Sequence, residues 1–169
     1  MALTRFTGTP LVDGDAAGIA LVTDTPLSFW GGVDPHTGEV IDRRHPLAGE
    51  LITSRILVLP CGRGSCSASG VLLEAISNGT APAGIVVSEV DPILGLGAIL
   101  GEELLGRTVP VVLVTAAERA ALSNGMSVSI ASGGIVEFGR VQDPEPEVRR
   151  DASVLDPGLW ATDLTCKPL

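Results

Sequence analysis

The residues best equipped for chemistry lie together in the run Leu59-Pro60-Cys61-Gly62-Arg63-Gly64-Ser65-Cys66-Ser67-Ala68-Ser69-Gly70. Ser65, Ser67 and Ser69 bring hydroxyls, Arg63 a planar permanent cation, and Cys61 and Cys66 thiols. An apolar run, Ile56 to Leu59, comes before it and a helix-like pattern, Val71 to Ile76, comes after. The segment therefore reads as a strand-to-helix turn. Such a turn directs backbone N–H groups and the positive end of a helix dipole at one place, which favours negative charge. With Arg63 added, it suits a carboxylate or a phosphate and sets a hydroxyl beside it. Serine is also a favoured helix N-cap and glycine a favoured turn residue, so a purely architectural reading stays open. The run is not a phosphate-binding Walker loop, because no Gly-Lys-Ser/Thr follows. Nor does Gly64-Ser65-Cys66-Ser67 have the Gly-x-Ser-x-Gly spacing of a nucleophile elbow.

Other chemistry-bearing residues are scattered. Arg43, Arg44 and His45 form the densest basic cluster, read either as a solvated turn or as a second contribution to an anion site. His36, His45 and Cys61 are too dispersed to read as a metal site, and no metal ligand is assigned to this chain. Cys61, Cys66 and Cys166 are odd in number and contain no Cys-x-x-Cys pair. Reduced thiols in a cytoplasmic protein are the expectation. The glycines of Gly95-Leu96-Gly97-Ala98-Ile99-Leu100-Gly101 are misplaced for a dinucleotide fingerprint, and close helix packing or a loop explains them better. Phe29 and Trp30 sit on a loop rich in proline and glycine, Thr25 to Pro35, and read as rings for a partner or an active site.

These groups need elements to hold them. The chain has 169 residues, 45% hydrophobic and 18% charged, enough for one domain with a core. Its formal charge of -9, absence of tyrosine and three phenylalanines argue against nucleic-acid binding. No apolar stretch has membrane-spanning length and no signal-peptide pattern is present.

Strands are expected over Phe6–Val12 and Gly18–Thr23, a short one over Thr37–Asp42, and another over Leu51–Leu59. The pattern then predicts a helix over Ser67–Asn78, a buried strand over Gly84–Ser88, a helix from Asp91-Pro92 to Leu105, and a strand over Val109–Thr115. A short helix over Ala116–Asn124 and a hairpin, Met126–Ile130 with Ile135–Phe138, follow. From Arg140 the character changes to Asp-Pro-Glu-Pro-Glu and a mixed-charge stretch without periodicity. Residues 1–139 are read as the domain, and 140–169 as a tail that is mobile or held by a partner. The order implies an α/β body with a mixed sheet, and a ligand at the carboxyl end of the strand ending at Leu59.

Pro26 to Pro35, the His45-Pro46-Leu47 turn, the Gly62-to-Ser67 loop and Ala81-Pro82-Ala83-Gly84-Ile85 together resemble the small swivel-domain subunit of aconitase X. The resemblance covers roughly Phe6 to Phe138. The loop is also similar to the Gly-x-Gly-Ser-Ser-Arg turn of wider aconitase-type swivel domains. Ser67 stands here where those have arginine, and Arg63 is the candidate substitute.

The resemblance implies a swivelling β/β/α domain that closes over a large subunit in a heterodimer. That partner would carry iron or an iron–sulfur cluster, with no cofactor bound by this chain alone. It implies a hydro-lyase acting on a small carboxylate substrate: cis-3-hydroxy-L-proline, giving pyrroline-2-carboxylate, or alternatively mevalonate 5-phosphate. Ser65 matches the serine that removes the proton alpha to a carboxylate. Arg63, Gly64, Cys66 and Ser67 are the substrate-binding candidates around it. A reading of another class is a non-catalytic binding or phosphocarrier module, with Cys61 or Cys66 as the transfer point.

Overall fold

The computed structural model describes residues 4–140. Eight strands and three helices follow one another as β1 (Thr4–Thr7), β2 (Thr9–Val12), β3 (Ala16–Val22), β4 (Ile56–Leu59), α1 (Ser67–Asn78), β5 (Gly84–Val87), α2 (Pro92–Leu105), β6 (Val111–Leu113), α3 (Ala116–Ala120), β7 (Met126–Ala131) and β8 (Ile135–Arg140). All eight strands join one sheet in the order β1-β8-β7-β3-β4-β5-β6-β2. β3, β4, β5 and β6 run parallel, while β1, β2, β7 and β8 attach antiparallel. β3 is the pivot: its first half pairs with β7 and its second half with β4.

β1 and β2 are one segment broken only at Gly8, yet they pair with opposite ends of the sheet. The Gly8 N–H donates to the Gly134 carbonyl at 2.8 Å instead of continuing a ladder. A Cβ at position 8 would lie 2.5 Å from the Leu113 carbonyl oxygen. A glycine there lets the two sheet edges meet, and the sheet curls into a near-closed barrel.

Pleat alternation then sorts the apolar residues. Ile56 and Val58 face the barrel interior with Val86, Val112, Val128, Ile130, Val136 and Phe138. Leu57 and Leu59 face the other way with Ile85, Val87 and Val111, under Leu72 and Ile76 of α1 and Leu94 and Ala98 of α2. Strands β4 and β5, buried on both faces, are the continuous apolar runs that such strands require. The helices approach closely through glycines. A Cβ on Gly97 would sit 2.9 Å from the Ser69 carbonyl oxygen and one on Gly101 2.6 Å from Ile76 Cδ1. The glycine-rich run of α2 is thus a packing surface, as its sequence suggested.

Several expected elements are shorter or absent. The strand expected over Leu51–Leu59 begins only at Ile56. Upstream, Ile52 donates to the Gly38 carbonyl and Ser54 takes a left-handed φ of 58°, so the chain turns there. Thr37–Asp42 makes only isolated bridges, Val33 with Val40 and Glu39 with Leu51, and is no strand. The run Phe6–Val12 divides at Gly8. The last helix ends at Ala120 rather than Asn124. Asn124 instead uses its side-chain amide to accept from the Val22 N–H and donate to the Val22 carbonyl, extending β3's pairing. Phe29 is fully buried in the core beside Leu27, contrary to its reading as a partner-facing ring; Trp30, next to it, is 61% exposed. Apart from Arg140, which ends β8, the expected tail lies outside the described residues. Among the described residues no helix is long and apolar enough to cross a membrane.

Candidate functional site

The loop between β4 and α1 leaves the sheet at the carboxyl end of β4 and is anchored on two sides. On one side Gly62 forms a bridge with Leu27, and the Arg63 N–H donates to the Leu27 carbonyl at 3.1 Å. Leu27 and Phe29 are buried, which fixes the loop they belong to and gives the Gly62–Ser67 loop a rigid wall. On the other side Asp91, 4% exposed, accepts from the Ile93 and Leu94 N–H groups at 3.0 and 2.9 Å and from the Gly62 N–H. One carboxylate therefore caps α2 and ties down the loop. Gly62 has no room for a side chain, since its Cβ would meet Asp91 Oδ2 at 2.6 Å. Ser69, buried at the start of α1, donates to the Ile93 carbonyl at 2.8 Å and joins the first turns of the two helices.

Ser65 is exposed at the N-terminal mouth of α1. Its Oγ accepts from the Ser67 N–H and donates to Ser67 Oγ, both at 3.3 Å. The amide cradle is narrower than the sequence suggested. The Ala68 and Ser69 N–H groups go to the Ser65 and Cys66 carbonyls, not to a common point. The N-cap position is Cys66, with no side-chain capping bond, so neither Ser65 nor Ser67 is simply an N-cap serine. Gly64 takes a φ of 107° that other residues rarely adopt, and its Cβ would lie 3.1 Å from Ser28 Oγ. This glycine lets the loop turn closely against Ser28 before Ser65.

Arg63 reaches to Asp42, with Nη2 3.6 Å from Asp42 Oδ2. The two line a cleft of about 400 Å³ with Thr25, Arg44 and His45. The basic cluster divides here. Arg43 and Arg44 are not buried, but His45 is, which corrects its reading as part of a solvated turn. The Leu47 N–H donates to His45 Nδ1 at 3.1 Å, so the ring's proton belongs on Nε2, which faces the Thr25 carbonyl at 3.2 Å. Both ring nitrogens are thus used in tying the Asp42–Leu47 turn to Thr25. His36 stands elsewhere, beside Glu74 of α1. Among the described residues no group of three or more His, Cys, Asp or Glu side chains is placed to hold a metal ion. A resident iron centre does not fit them.

Cys61 is half-buried, and burial, then Glu89 and Asp91, push its thiol above the usual range. That environment disfavours the thiolate a phosphocarrier cysteine needs. Cys66 is exposed next to Ser65. Asp42, Thr25 and the second role of Asp91 escaped the sequence reading. The Asp91-Pro92 pair signalled a cap, but nothing local signals its bond to Gly62 across 29 residues.

With this geometry, residues 5–138 match the family model described as the aconitase X swivel domain. A cis-3-hydroxy-L-proline dehydratase of Hypocrea jecorina is 42% identical over 140 residues, 83% of this chain and 23% of that protein. The phosphomevalonate dehydratase small subunit of Methanopyrus kandleri is 51% identical over 117 residues, 69% of this chain and 83% of its own length. The chain thus spans about a quarter of the first relative and most of the second. The crystal structure of Thermococcus kodakaraensis aconitase X in its holo form superposes with a TM-score of 0.73 at 36% identity, covering 81% of this chain and 99% of that one.

Proposed function

The chain belongs to the aconitase X swivel-domain family, and on that footing we propose that it is the swivel part of a hydro-lyase. The proposed reaction removes water from cis-3-hydroxy-L-proline to give pyrroline-2-carboxylate. Ser65 Oγ accepts the proton from the carbon bearing the carboxylate, and the hydroxyl leaves from the neighbouring carbon. The observation that carries this reading is an exposed Ser65 hydroxyl at the mouth of α1 with the Ser67 N–H directed onto its oxygen.

A serine is a base only as the alkoxide, and each part of the loop bears on that state. The Ser67 N–H and the positive end of α1 favour charge on Oγ, and the Ser67 hydroxyl, now receiving from Ser65, can turn to donate instead. Gly64 brings the backbone close to the substrate. Arg63 receives the carboxylate, and Cys66 borders it. The rest of the pocket, with the iron or iron–sulfur centre that would act as Lewis acid on the leaving hydroxyl, is assigned to a large subunit. Support comes from the relatives named dehydratases, one of them a small subunit.

The test is Ser65→Ala in the assembled enzyme, assayed on cis-3-hydroxy-L-proline and on mevalonate 5-phosphate. Loss of a proton acceptor costs about 10²–10⁴ in turnover. Co-elution of the two subunits should not change. A near-normal rate in the variant places the base elsewhere, turnover of the phosphate alone replaces the substrate, and turnover by this chain without its partner defeats the division of labour.

A further inference from the structure

We infer that Asp42 is the resident counter-ion of the anion receiver and narrows the advantage that a doubly charged anion has over a singly charged one in the cleft. The inference rests on the proposed role of Arg63 and concerns which anions that arginine takes. Asp42 is fixed by its own turn. Its Oδ1 accepts from the Arg44 N–H at 3.0 Å, and its carbonyl accepts from the His45 N–H at 3.0 Å. Oδ2 is left facing Arg63 Nη2 at 3.6 Å, longer than the roughly 2.7–2.9 Å of a well-made charge-assisted bond. The contact is therefore a loose, single-point one, and the fork of Arg63, 59% exposed, keeps its other donors for a ligand. Asp42 orients the guanidinium without saturating it.

The charge consequence follows from Coulomb's law. Arg63 and Arg44 bring two positive charges to the cleft wall and Asp42 one negative. An incoming anion feels Asp42 in proportion to its own charge. A phosphate dianion meets twice the attraction of the arginines and twice the repulsion of Asp42 that a carboxylate meets at the same position, so Asp42 takes more from the dianion than from the monoanion. Removing the Asp42 charge must therefore help a dianion by the square of the factor by which it helps a monoanion.

Asp42→Asn is the variant to use, because its amide oxygen can still accept from the Arg44 N–H and preserve the turn. The full chain is titrated at pH 8 with acetate and with inorganic phosphate, following the Arg63, Gly64 and Ser65 backbone amides by NMR. Asp42→Asn is expected to tighten acetate about 3-fold and phosphate about 10-fold. Equal gains for the two ions, or none, overturn the inference while leaving Arg63 as receiver. Arg63→Ala supplies the separate control, made both alone and together with Asp42→Asn. If it leaves acetate binding unchanged in both backgrounds, the receiver reading falls and takes the inference with it. If it weakens acetate in both backgrounds, the receiver reading stands, and the unequal gains of acetate and phosphate in Asp42→Asn decide the inference.

Discussion

Replacing Asp91 with alanine should loosen the Gly62–Ser67 loop and destabilise the fold together, because one carboxylate serves both. It caps α2 through the Ile93 and Leu94 N–H groups and holds the Gly62 N–H. Losing an N-cap of this kind costs about 1 kcal/mol. Leaving the Gly62 N–H without its partner costs about 1–3 kcal/mol more. The sum, roughly 2–4 kcal/mol, corresponds to a midpoint roughly 4–16 °C lower for a chain of this size, at about 2–4 °C per kcal/mol. Asp91→Asn separates the two parts. Its oxygen can keep the α2 cap, but its amide presents N–H to the Gly62 N–H and cannot accept from it. The asparagine variant should therefore be about 1 kcal/mol more stable than the alanine variant. Urea denaturation gives the two free energies, and hydrogen exchange at Gly62, Ile93 and Leu94 locates the losses. Gly62 should exchange faster in both variants, Ile93 and Leu94 chiefly in the alanine variant. The reasoning is refuted if Asp91→Ala lies within about 0.5 kcal/mol of the unaltered protein, the usual range of a neutral surface change, or if Gly62 stays protected in Asp91→Asn.

Other parts of the fold are open to equally direct checks. Gly97→Ala puts a methyl 2.9 Å from the Ser69 carbonyl and 3.1 Å from Leu72, so α1 and α2 must part; the expected cost is about 1–3 kcal/mol in urea melts, despite alanine's better helix propensity. Cys61 should alkylate with iodoacetamide at pH 8 more slowly than an unstructured cysteine peptide, since burial, Glu89 and Asp91 all oppose its thiolate; mass-spectrometric mapping of the labelled thiol reads this out. Glu118 accepts from the Thr115 N–H and hydroxyl in a capping box, which holds its carboxyl below the ordinary glutamate value. Because the folded value is the lower one, its contribution is present above the unfolded-state value and lost as pH falls through the folded one. An NMR titration of the Glu118 side chain should show that lowered midpoint, and Thr115→Val should raise it.

What could be read from the residue order was local and periodic. The continuous apolar run within Gly84–Ser88 announced a buried strand, Ile56–Leu59 was the part of the expected Leu51–Leu59 strand that formed, Asn78-Gly79 and Asp91-Pro92 marked helix ends, and the Gly62–Ser67 loop stood out because so many polar groups crowd a strand-to-helix turn. Periodicity reports which residues share a face, and caps report where a backbone changes state; neither needs distant residues. The errors have the converse cause. Thr37–Asp42 and Leu51–Arg55 carry strand-like residues, but the backbone turns at Gly38 and Ser54 and they make only isolated bridges. Phe29 sits in a turn-rich loop yet is drawn into the core, where burying an aromatic ring outweighs local loop character. Only the tertiary structure brought Asp42 to Arg63, placed His45 on Thr25 and hung the Gly62 amide on Asp91. Those partners are 20 or more residues apart, and their meeting is decided by how a curled sheet stacks its connecting loops at one end.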